Sequence, residues 1–231
     1  MKNPKIVLAI NYVDYKAQDK KRWQETAISV LMANKPKDVM LISFNFPDDV
    51  VDLPSSLRVF KMLKRDSSKT IGNTRRMPYV KEILNYASQI NCKAFGYINS
   101  DILIKKEDYK FMCMDDIDAC IFSRIDIHEI SKEEFLKGKI KVNESFYKDG
   151  VHDGVDGFFF NRQWWLHNNY RFHDDMILGE PFWDHYYRKI INVSTKKVFR
   201  KHLLYHIYHI TKWNFESPGA INNKAIWDAV Q

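Results

Sequence analysis

Two short apolar runs with a helical repeat between them constrain the fold more than any other feature. They are Lys5–Tyr12 (KIVLAINY) and Asp38–Phe46 (DVMLISFNF), and between them Trp23, Ala27, Val30 and Leu31 are spaced as one face of a helix over Trp23–Ala33. Asn34-Lys35-Pro36 stops that helix and Pro47 closes the second run. Strand, helix, strand within about fifty residues is a βαβ unit, which implies parallel strands with helices covering the sheet. At 231 residues the chain can bury one large core, and a single α/β domain with a central, mostly parallel sheet flanked by helices is expected.

The run that this sheet would centre on is Lys93–Ile104 (KAFGYINSDILI), an aromatic and β-branched stretch interrupted by Asn99-Ser100-Asp101. At the carboxyl edge of an open α/β sheet, a carboxylate such as Asp101 can hold a metal-bound phosphate. The same three residue types also make turns and helix caps, and the local sequence alone favours that role.

Charge and cysteine usage narrow the partners. A net charge of +7 favours anions, but no block of five or six Lys/Arg residues marks a nucleic-acid arm, so none is expected as a partner. Cys92, Cys113 and Cys120 are odd in number and lack CxxC spacing, which suits free thiols in a reducing compartment. The uninterrupted apolar run Ile6–Ile10 is too short for a signal core or a membrane span. A cytoplasmic protein is expected, with room for peripheral contact with the inner membrane surface.

Further along, Lys61–Arg76 reads as a charged surface connection, and Met77–Ile90 as a helix through Val80, Ile83, Leu84 and Ala87 with Pro78 in its first turn. Just before it, Arg75 reads as a solvated arginine, while Arg76 could hold an anion against the helix amides. Lys105–Met112 is amphipathic and Asp118–Ile125 is a strand candidate. The Lys- and Glu-rich piece 131–150 reads as an exposed excursion able to close over a site. In Val151–Arg162 two Asp-Gly turns are expected to present Asp153 and Asp156 ahead of an aromatic strand. Aromatic residues crowd the chain after residue 158, a density that means core more often than a stacking platform. A helix from Phe182 would carry Asp184 in its first turn, where the macrodipole favours a carboxylate whether or not it takes a proton; Glu180 precedes it. His206 and His209 share one face if helical and lean apart if extended, and such a pair is structural more often than metal-binding.

Taken together, Tyr97-Ile98-Asn99-Ser100-Asp101-Ile102, Asp156-Gly157-Phe158-Phe159-Phe160, Gly179-Glu180-Pro181-Phe182-Trp183-Asp184 and the late His206 and His209 resemble, in order, the successive motifs of glycosyltransferases with the GT-A fold. The resemblance extends from the first strand to about Trp213, and Gly-x-Pro-x-Trp-Asp is its stronger marker. It implies a nucleotide-sandwich sheet that takes a nucleotide-sugar, with residues 1–104 forming the nucleotide-binding half and 105–231 the acceptor side. A divalent cation, Mn²⁺ or Mg²⁺, would bridge the diphosphate to the last carboxylate of a DxD-like motif, Asp101, with His209 or His206 completing the shell. Asn99 stands where a full DxD has its first Asp, which leaves strict metal dependence open. Asn11 and Tyr12 would lie by the base, and Arg76, Asn99 and Ser100 by the phosphates. Asp184, then Glu180 and Asp156, are the candidates to activate a glycan or lipid-linked acceptor, with surface-polysaccharide synthesis as the implied setting.

Two other readings compete with this one. A nucleotidyltransferase would normally carry a Gly-rich loop after the first strand, and Asn11-Tyr12-Val13-Asp14 has no glycine. A catalytically silent binding module of the same fold is compatible with Asn99.

Overall fold

The structure, a computed structural model, describes residues 3–51, 53–54, 57–144, 151–209 and 213–231, with the backbone alone at 151–153. Its strands are β1 (Ile6–Ile10), β2 (Val39–Asn45), β3 (Arg58–Lys61), β4 (Ala94–Ile98), β5 (Ile102–Leu103), β6 (Ala119–Ile127), β7 (Val151–Asn161) and β8 (Val198–Ile207). They form a single sheet in the order β3-β2-β1-β4-β7-β6-β8-β5. The β1–β2, β1–β4, β2–β3 and β6–β8 pairs are parallel; β7 runs antiparallel to β4 and β6, and β5 antiparallel to β8.

All five residues of β1 are buried, as befits a parallel strand with helices on both faces. Strand alternation divides the core accordingly. Val7, Ala9, Phe158 and Phe160 face α3 (Val80–Gln89), α5 (Arg162–Asn168) and α6 (Trp183–Ser194), where Trp165, Phe172 and Tyr187 close an aromatic layer. Leu8, Ile10 and Phe159 face the other way, against Ile28 and Leu31 of α1 (Gln18–Asn34). Short helices α2 (Ser67–Thr70) and α4 (Lys132–Leu136), a final helix α7 (Pro218–Asp228) and two 3-10 turns, Lys106–Met112 and Asn169–Arg171, complete the described elements.

The differences from expectation are informative. Lys93–Ile104 is not one strand: β4 sits mid-sheet, whereas Ile102 and Leu103 cross to the far edge and pair with His206 and Tyr205. The expected Asp-Gly turns are absent, because β7 extends from Val151 to Asn161, paired with β6 on one side, through shifts of register, and with β4 on the other from Gly157 onward, and this pairing overrides local turn preference. The connection 61–76 is not simply solvated, since Asp66, Ser67 and Asn73 are buried within it. The helix expected from Met77 starts at Val80, leaving Pro78 outside it. In the segment 131–150, α4 has a Ser131–Glu134 capping box and buries Phe135; residues 145–150 lie outside the described part, so the expected closing excursion is described only up to residue 144. The α7 helix was not anticipated, although Ser217-Pro218 is an N-cap followed by proline at the first position.

The last helix also reaches back into the fold. Asn223 is fully buried and accepts the Ile177 N–H while donating to the carbonyls of Ile177 and Pro181.

Gly96 lies where β4 meets β7, and a Cβ there would stand 2.2 Å from the Phe158 carbonyl oxygen and 2.5 Å from the Phe159 ring. Gly96→Ala is expected to destabilise the fold by about 3 kcal/mol, seen as a lower urea midpoint at unchanged slope.

Candidate active site

Beyond Ile98 the chain turns through Asn99-Ser100-Asp101 into β5, whose register sets Ile102 opposite His206. That pairing brings an imidazole beside Asp101, and His209 returns to the same place just past the end of β8. The Asp101 carboxylate lies 3.5 Å from His206 Nε2 and 3.6 Å from His209 Nε2, and the two nitrogens are 3.3 Å apart. All three ligand atoms fall within 4.8 Å of one another. His206 is therefore extended, and His209 reaches the shared site from beyond the strand.

Several groups hold this cluster. Asp126 lies 2.8 Å from His206 Nδ1, leaving Nε2 to face Asp101, and Trp23 stacks on His209 with ring planes 2° apart. Gln24 of α1, fully buried, accepts from the Val13 N–H and the Ser100 hydroxyl and donates to the Val13 carbonyl. Burial raises the Asp101 pKa, but hydrogen bonds and charge from His206 and His209 outweigh it and hold the carboxyl well below its usual range. Burial pulls His206 down, yet Asp101 and Asp126 overcome it and push the imidazole up to about 9. One carboxylate oxygen and two imidazole nitrogens, one of them backed by a second carboxylate, make a donor set that fits a divalent cation.

A second tier lies beside it. The pairing of β6 with β7 and β8 shifts register around Ser123 and Arg124, and such bulges re-aim side chains. Arg124 pairs with Asp126 at 3.1 Å and with Asp156 at 3.3 Å. Asp156 also accepts the Asn99 side-chain amide at 2.6 Å. Asp184, in the first turn of α6 and partly exposed, accepts the Val155 N–H at 3.3 Å. Asp153 falls where only the backbone is described.

Other residues singled out from sequence have different surroundings. Glu180 is buried and takes hydrogen bonds from Arg75, Asn73 and Ser217, tying three segments together, so Arg75 is not simply a solvated arginine. Arg76 pairs with Asp48, Asp49 and Asp66 and lies over Phe46, four residues ahead of the first turn of α3. Its guanidinium thus already has three carboxylate partners. Asn11 and Tyr12 are buried at 6% and 3% exposure; the Asn11 amide donates to the Phe44 carbonyl and the Tyr12 N–H to Ser43 Oγ. The Asn11 amide is thus engaged within the protein, and both side chains are buried. Tyr15 is nearer the cluster: burial, then the charge of Asp101, raises its phenol pKa, with Arg75 acting in the opposite direction.

Trp23, Gln24, Arg124 and Asp126 were missed from sequence. Arg124 and Asp126 did leave a trace, as two charges at alternate positions of an apolar strand.

No family model matches the chain, and neither does any curated protein. Among solved structures it is similar to Staphylococcus aureus TarS 1–349, with a TM-score of 0.53 and 10% identity over 88% of this chain and 60% of that one. It is similar as well to TarS 1–349 in complex with UDP-GlcNAc, with a TM-score of 0.50 and 10% identity over 90% and 59% of the two chains. The chain thus spans about 60% of the length of the structures it matches. The likeness establishes the fold alone: a single mixed α/β domain with a GT-A-like architecture. Among the described residues no helix is long and apolar enough to cross a membrane.

Replacing Arg124 with methionine would leave Asp126 and Asp156 buried without their shared cation. Arg124→Met is expected to lose about 3 kcal/mol of stability in urea unfolding, and an unchanged midpoint would show that the two carboxylates do not need it.

Proposed function

We propose that the chain is a nucleotide-sugar-dependent glycosyltransferase whose donor diphosphate is held at the rim carrying Asp101, His206 and His209. The convergence of these three side chains at one point of a GT-A-like fold carries the reading. A bound Mn²⁺ or Mg²⁺ would supply charge stabilisation for the departing nucleoside diphosphate.

The chain's own residues do the rest. Asp101, His206 and His209 provide the ligand atoms; Asp126 keeps His206 Nε2 turned toward Asp101, and Trp23 fixes the plane of His209. Ser100 is anchored to Gln24 and so fixes the backbone that presents Asp101.

For acceptor activation Asp184 is the best placed of the three candidate acids. It is partly exposed at the start of a helix, whereas Glu180 and Asp156 are buried with two or more donors each. Asp184 would accept the proton of an attacking hydroxyl as the bond to the sugar forms and the bond to the diphosphate breaks. UDP-sugars are the first donors to test, because a TarS structure holds UDP-GlcNAc. The acceptor is a glycan or lipid-linked sugar of surface-polysaccharide synthesis, met from the cytoplasmic side, with peripheral contact at the membrane.

Release of UDP, GDP, CMP or dTDP from a panel of sugar nucleotides, with and without EDTA, tests this reading. Turnover is expected with at least one donor, abolished by EDTA and restored by Mn²⁺ or Mg²⁺. Asp101→Ala is expected to lower it by about 10²–10³-fold with an unaltered circular dichroism spectrum. Undiminished turnover in that variant would remove Asp101 from the mechanism, and no release from any donor would leave a silent binding module.

A further inference from the structure

We propose that Asn99 is a positioning residue whose neutrality is required by Asp156, so that the missing first carboxylate of the DxD-like motif is a condition of this site and not a loss from it. The inference rests on the donor-site reading above, because what Asn99 positions is Asp101.

The two residues are tied twice. The Asn99 side-chain amide donates to Asp156 Oδ1 at 2.6 Å, and its backbone N–H donates to the Asp156 carbonyl at 3.2 Å. Only the NH₂ end of the amide can face a carboxylate, so the orientation of the side chain is fixed and its Oδ1 is turned away. Asn99 then accepts the Ile102 N–H through its own carbonyl, which closes the turn containing Asp101. Asp156 thereby reaches Asp101 through one hydrogen-bonded turn.

An aspartate at position 99 would face Asp156 with acceptor against acceptor at that distance, partly shielded from water. Among the described residues the guanidinium that faces Asp156 is already committed. Arg124 is shared between Asp126 and Asp156, and Arg76 is paired with Asp48, Asp49 and Asp66. The turn would have to open to separate the carboxylates, moving Asp101 away from His206 and His209. Completing the sequence motif is thus expected to damage the site that the motif is named for.

Exchanging the partners should undo the damage. In a chain carrying both Asn99→Asp and Asp156→Asn, the new amide at 156 can donate to the carboxylate at 99 and still accept from Arg124 through its oxygen, and the total charge is unchanged.

Mn²⁺ binding by isothermal titration and thermal unfolding, on wild type, N99D, D156N and N99D/D156N, test the proposal. N99D is expected to bind Mn²⁺ about ten- to a hundredfold more weakly than wild type and to unfold at lower temperature, and the double variant to regain most of both. Tighter Mn²⁺ binding by N99D than by wild type overturns the proposal, as does a double variant no better than N99D. If N99D is insoluble, a soluble double variant supports the pairing and an equally insoluble one overturns it. A wild-type chain that binds no Mn²⁺ would refute the donor-site reading instead, and recovery of thermal stability in the double variant would still decide the pairing.

Discussion

The reach of the chain between Ile98 and Ile102 governs much of the architecture. In the sheet order β4 and β5 are four strand spacings apart, roughly 19 Å across a flat sheet, yet four residues extend to only about 14 Å. A flat sheet is therefore impossible, and the edge carrying β8 and β5 has to curl back toward the middle. The bulges of β6 at Ser123 and Arg124 supply local bend and twist where the curl is needed. Asn99, Ser100 and Asp101 then cross the mouth that the curl creates, and whatever lines that mouth becomes their neighbour.

Curling brings charge together as well as backbone. Asp101, Asp126 and Asp156 lie close enough to Arg124 for each to favour its charged form, against a burial that opposes it. Acids crowded in a poorly hydrated place are tolerable only where cations or hydrogen-bond donors face them, and here Arg124, His206 and the Asn99 amide do so. Buried networks of this kind add little net stability but strongly disfavour alternative arrangements of the same strands, because any shift leaves a charge without its partner. The second polar knot, of Glu180 with Arg75, Asn73 and Ser217, acts similarly on the loop before α6.

How much of this could be read from sequence follows from the range of the interactions concerned. The first βαβ unit, α3 and the aromatic core rest on short-range periodicity and were legible within a few residues. The carboxylate and the two histidines could be singled out only through the order of motifs, since nothing local tells Asn99-Ser100-Asp101 from an ordinary turn. What failed depended on partners distant in sequence. Asp-Gly at 153–154 and 156–157 looks like two turns until β6, and from Gly157 onward β4 as well, pairs with the strand, and the Asn11 side chain looks available until the Phe44 carbonyl takes its amide. Arg76 met its carboxylates from a loop nearly thirty residues earlier, a pairing no spacing rule would have suggested.

Asn223 has a bearing on how the molecule matures. Its side chain fastens Ile177 and Pro181, the backbone leading into the helix that bears Asp184, from a position more than forty residues downstream. During synthesis the sheet can assemble once β8 has emerged, but that approach to Asp184 stays unfastened until residue 223 has cleared the ribosome. A nascent chain would thus pass through a stage in which the sheet is built while the approach to α6 is still loose, and that approach would be fastened last, by the docking of one asparagine.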